Sequence, residues 1–173
     1  MKRLLTSVCC FCALMTGLVS VSAAGANFAG TWELDKAKSE GLQGQAANSQ
    51  SNTLTVTQND KTLTQVTKIV GADGQAAPST TYTYNLDGSE TTAEITGRMT
   101  GKAKNKVKWM NDGKILEINS VREVSVQGND VTITVKEHWE LADDGKVLKI
   151  HRTTESPRGS QEVKLAYNKK MPA

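Results

Sequence analysis

Cysteine is confined to the start of this 173-residue chain, at Cys9, Cys10 and Cys12. The rest of the chain therefore has no intramolecular disulfide, thiol nucleophile or cysteine-zinc site. After residue 26 there is no long apolar run, which argues against an integral membrane segment there. Basic residues do not cluster with interleaved aromatics, which argues against nucleic acid as a partner. Glycine-rich phosphate loops, the G-x-S-x-G elbow and the H-E-x-x-H metal motif are missing. Asp73, Asp87, Asp112 and Asp130 lack the spacing of a calcium loop. These absences point away from an enzyme, and no cofactor is expected.

The first 26 residues carry a basic pair (Lys2, Arg3), an apolar stretch, and small residues before Asn27. That order reads as a secretory signal peptide over 1–26, cleaved after Ala23 or Ala26, with Ala26 preferred. Thr6-Ser7-Val8 before Cys9 makes a poor lipoprotein box. The expected destination is the periplasm or the extracellular space. Loss of Lys2 and Arg3 lowers the formal charge from +3 to +1. Residues 27–173 then suit one domain with one core.

That domain alternates. Thr- and Val-rich stretches with period two, separated by short turn signals, predict about ten antiparallel strands in up-and-down order. Closing such a meander into a barrel removes its two exposed edges; a β-sandwich is the alternative. Residues 43–52, rich in Gln, Ala, Asn and Ser, read as a flexible linker.

In the C-terminal half, tight turns at Asp112-Gly113, Gly128-Asn129, Asp144-Gly145 and Ser156-Pro157-Arg158-Gly159 set the expected registers. One row runs Trp109, Leu116, Leu141, Leu148, Tyr167, and the next Val107, Ile118, Trp139, Ile150, Leu165. Then come Asn105, Ser120, Glu137, Arg152, Val163, followed by Ala103, Arg122, Val135, Thr154, Gln161. Three charges thus lie in phase with the apolar face: Arg122, Glu137 and Arg152. A buried charge is costly unless paired, so this cluster is the leading candidate for chemistry.

Two guanidiniums against one carboxylate suit an anionic headgroup. In that reading Arg122, Glu137, Arg152 and Ser120 hold the head, while Trp109, Trp139 and Tyr84 line an apolar pocket. The alternative is an internal salt bridge in a barrel filled by its own side chains, serving as an envelope interaction or structural module with a protein partner unknown. An enzyme using Glu137 as general base would need that carboxylate to be reachable and not neutralised. On the opposite face His138 stands across from His151, a weak candidate pair for a metal; no metal site is otherwise expected.

The string Phe28 to Glu40, FAGTWELDKAKSE, resembles the G-x-W opening of lipocalins. More narrowly it resembles secreted bacterial lipocalin-like domains that begin G-T-W-x-L-D. The likeness extends through the Tyr82–Tyr84 strand, the Trp139 strand and Leu165-Ala166-Tyr167. It implies a calycin-type barrel that Gly30 and Trp32 help to close at one end, with room inside for a small amphiphilic molecule. Such domains place an Arg over that Trp from the last strand. This chain offers Lys169 or Lys170 there, and Lys lacks the planar fork of Arg.

Overall fold

The computed structural model describes residues 25–96, 99–126 and 128–171. The signal peptide read over 1–26 therefore lies almost entirely outside the described residues. Ten antiparallel strands form one sheet: β1 Gly30–Leu34, β2 Ser51–Gln58, β3 Thr62–Val70, β4 Thr80–Asn85, β5 Thr91–Ile95, β6 Thr100–Met110, β7 Ile115–Val126, β8 Asn129–Ala142, β9 Val147–Ser156 and β10 Gly159–Lys169. Each strand pairs with its sequence neighbour except across β4 and β5, and β1 pairs with β10. The sheet is thus a barrel, open along one seam. There the Thr91 hydroxyl donates to the Thr83 carbonyl at 2.8 Å, a side-chain link where the ladder is missing.

Alternation places the core. On β6 Ala103, Asn105 and Val107 are buried, while Lys102, Lys104, Lys106 and Lys108 face water. Inward side chains from the whole barrel, among them Trp32, Leu54, Leu63, Leu116, Trp139, Leu148 and Ile150, make one cluster.

Most of the expected registers are present. Trp109 pairs with Leu116, Glu137 with Arg152, Trp139 with Ile150 and Leu165 with Ile150. The β7–β8 pairing differs by two residues: Leu116 faces Trp139, Ile118 faces Glu137, Ser120 faces Val135 and Arg122 faces Ile133. Closure at Val126–Asn129 puts Gly128, with φ +82°, in the second central position of the turn, where positive φ is demanded; Gly128-Asn129 would have put it first. A slip of two leaves every side chain on its expected face.

The hairpins at Asp112-Gly113 and Asp144-Gly145 are wider than expected, while Ser156 pairs with Gly159 as the fourth turn requires. Asn111, Asp112 and Gly113 all have positive φ, as do Asp143, Asp144 and Gly145. Both loops make the same pair of 3.1 Å backbone hydrogen bonds. Asn and Asp tolerate this left-handed backbone better than other side chains, and the widening is symmetric, so the registers stand.

Residues 43–52, expected as a linker, are folded. A 3-10 turn over Lys36–Lys38 leads to a short helix, α1 (Gly44–Asn48), and β2 begins at Ser51. Ser49 and Asn52 are buried. The Lys36 ammonium donates to the carbonyls of Ala47 and Ser49, tying down the helix end.

Candidate functional site

One end of the barrel is packed shut by its own N-terminal segment. The Phe28 ring, fully buried, stacks on Trp109 at 6.1 Å and meets Trp139 edge-on at 5.8 Å. Ala26 N–H donates to the Gly113 carbonyl at 2.7 Å, and the Gln58 amide takes both the Phe28 N–H and the Ala26 carbonyl at 2.9 Å. Cleavage after Ala23 would keep the Ala26 bonds, and cleavage after Ala26 would remove them. Trp32 donates its indole N–H to the Phe28 carbonyl at 3.0 Å, and Lys169 lies over its ring at 5.1 Å. Lys169 thus occupies the position where the resemblance implies Arg, opposite Trp32 in the β1–β10 ladder. Gly30 sits against the same lysine: a Cβ there would lie 3.0 Å from Lys169 Cε.

Above this floor the interior opens into a cavity of about 230 Å³. Leu54, Ile150, Val163 and Leu165 supply apolar wall, while Asn52, Gln65, Arg152 and Tyr167 supply polar groups. Leu42 and Ala46, from α1 and the segment before it, reach the cavity from above. The fold places these residues by phase: Asn52 continues the inward row of Leu54 and Val56 on β2, and Gln65 that of Leu63 on β3.

Glu137 anchors the charged part of the site. It is 4% exposed, and both its oxygens are occupied. Arg152 Nε donates to Oε1 at 2.6 Å and Trp139 Nε1 donates to Oε2 at 2.7 Å. Burial pushes the carboxyl up, but Arg152, the indole N–H and Arg122 outweigh it and hold Glu137 below the ordinary carboxylate range. Glu137 in turn pushes the Arg152 guanidinium up. The Arg152 side chain remains 38% exposed and lines the cavity. Tyr167 is pushed up to about 12 by burial, so its phenol is neutral at any physiological pH. Burial, then Glu137, likewise raises Tyr84, which accepts from Gln65 Nε2 at 2.7 Å.

The structure brings Glu137, Arg152 and Trp139 together as the shared inner face requires. It does not bring Arg122 to the same spot. Because of the two-residue difference, Arg122 stands four residues, roughly 13 Å of strand, from the position opposite Glu137. Its guanidinium lies over the Tyr82 ring at 5.5 Å, with Ser120 Oγ at 3.5 Å from Nε. Ser120 is buried and pairs with Val135. A two-arginine clamp on one headgroup is therefore not what the geometry forms. Trp109 and Trp139 belong to the packed floor, and neither they nor Tyr84 line the cavity. Asn52, Gln65 and Tyr167 were not among the expected ligand contacts.

On the outer face His138 and His151 stand opposite one another, ring centres 6.3 Å apart. Each is engaged by its own carboxylate, His138 Nε2 with Glu117 at 2.9 Å and His151 Nε2 with Glu162 at 2.7 Å. Among the described residues no group of three or more His, Cys, Asp or Glu could hold a metal ion, and no helix is long and apolar enough to cross a membrane.

No family model matches this chain, and no curated protein matches it. Among solved structures it is similar to zebrafish ileal bile acid-binding protein, whose structure was determined complexed with cholic acid. Identity is 17%, the TM-score is 0.51, and the match covers 83% of this chain and 98% of that one. At that identity the likeness speaks for the fold alone: an all-β, nearly closed barrel of ten up-and-down strands, of the fatty-acid-binding-protein and lipocalin-like kind.

Proposed function

We propose that this protein binds a small amphiphilic molecule inside the barrel, beneath α1. The observation that carries the reading is the cavity itself, lined about evenly by apolar and polar side chains, with a short helix over it. Small-barrel interiors are a usual place for ligand sites, and the mixed lining suits an amphiphile. The bile acid-binding neighbour supports it as a fold that holds a hydrophobic ligand. The cavity is smaller than the roughly 300 Å³ at which drug-sized pockets begin, so the ligand is compact. The signal-like N-terminus supports export to the periplasm or beyond. Binding rather than catalysis is the reading for Glu137, since both its oxygens are occupied and its charge is compensated.

The packed floor favours a second reading, a barrel filled by its own side chains that engages another protein. Native mass spectrometry of protein purified from its host separates the two. The expected result is a co-purified small molecule that is absent from Ala46→Trp, in which an indole enters the cavity from α1. Each protein appearing only at its own sequence mass, with no adduct on the wild type, would refute the binding reading.

A further inference from the structure

We infer that the cavity selects an uncharged, hydroxyl-bearing head rather than an anion. This rests on the reading of the cavity as a ligand site and specifies its chemistry. The first observation is Asn52. It lines the cavity, is 6% exposed, and its Oδ1 has no hydrogen-bond partner among the described residues. A buried amide oxygen left without a donor is a standing cost, and a turn of the side chain toward a ligand in the cavity that it lines would remove it. A hydroxyl both gives and accepts a hydrogen bond. It can therefore satisfy this amide whichever of its two ends turns to the cavity.

The second observation is that Arg152 is already matched. Its Nε lies 2.6 Å from Glu137, whose other oxygen holds the Trp139 indole. A carboxylate brought to Arg152 would be desolvated beside a second, ionised carboxylate, and two like charges at close range oppose each other strongly in an enclosed site. Arg122, the other inward cation, rests on Tyr82 and does not line the cavity. The remaining polar walls, Gln43, Gln65, Thr67, Thr154, Gln161 and the Tyr167 phenol, are neutral. They suit a hydroxyl and give an anion nothing to neutralise it.

The volume bounds the length. At roughly 25–30 Å³ per non-hydrogen atom, estimated from the volume of liquid water, 230 Å³ holds about eight or nine such atoms. 1-Octanol and octanoate are therefore a matched pair of probes, alike except for the head. Calorimetric titration at pH 8 should show 1-octanol binding at least about fivefold tighter than octanoate. Asn52→Leu, close in volume but without hydrogen-bonding groups, should weaken 1-octanol about tenfold and leave octanoate within about twofold. Should the leucine variant fold poorly, Asn52→Asp retains an acceptor: it should keep 1-octanol within a few-fold and abolish octanoate. Octanoate binding tighter than 1-octanol would overturn this inference while the cavity remained a binding site. Failure of both probes to bind at their solubility limits would overturn the binding reading with it.

Discussion

Removing the charge of Glu137 without changing its shape tests the interior electrostatics most directly. In Glu137→Gln one carboxylate oxygen becomes an NH₂ group. Both oxygens now accept, one from Arg152 and one from Trp139. Whichever way the new amide turns, it therefore presents a donor to a donor, and Arg152 loses its counter-charge. Breaking a fully buried ion pair costs about 3–5 kcal/mol. Arg152 is 38% exposed and water can recover part of the loss, so about 2–3 kcal/mol is expected here. In a domain of this size that lowers Tm by roughly 5–10 °C.

Urea unfolding followed by tryptophan fluorescence at pH 7.5 measures the loss. The pH dependence follows from the direction of the Glu137 shift. Its carboxyl is held below the ordinary range in the folded state. Its contribution is therefore complete above the unfolded-state value and is lost as pH falls through the lower folded value. The gap between wild type and Glu137→Gln should close on acidification and stay constant on the alkaline side. The companion Glu137→Leu/Arg152→Met, which removes both charges together, should recover part of the stability at pH 7.5, the remainder being held back by the Trp139 indole N–H, which loses its acceptor. A loss below about 0.5 kcal/mol at pH 7.5, or a gap that does not shrink in acid, would refute the pairing argument.

Two further perturbations test the packing around it. Phe28→Ala removes a fully buried ring from the floor, where it touches Trp109 and Trp139. It should cost about 3–5 kcal/mol in urea unfolding, and a cost under about 1 kcal/mol would mean that the N-terminal segment is not part of the core. Asn105 is 1% exposed, and neither side-chain polar atom has a partner among the described residues. Replacing an unpaired buried amide by a similar apolar volume, in Asn105→Leu, should raise stability by about 1–2 kcal/mol; a loss would show that the amide is satisfied in solution.

What could be read from the sequence divides along physical lines. Strand faces were legible because alternation is local: Val107, Trp139, Glu137 and Arg152 point inward as their phase requires. Registers were legible at Asp112-Gly113 and Asp144-Gly145 because the loops there widen symmetrically about the expected turns, and failed by two at Gly128, where one glycine can serve either central position of a turn. That difference decided the site, because it moved Arg122 away from Glu137 while leaving both on the inner face. The cavity's other wall was harder to see, since Asn52 lies at the edge of a stretch whose composition resembles a linker. The signal was nevertheless there. Asn52 is in phase with Leu54 and Val56, and Gln65 with Leu63, so both amides face the interior as the arginines do. Inward charges stand out in a sequence because burying them costs most. Within this barrel Glu137 and Arg152 satisfy one another, so the proposed selectivity rests on Asn52, the unpaired amide that lines the cavity.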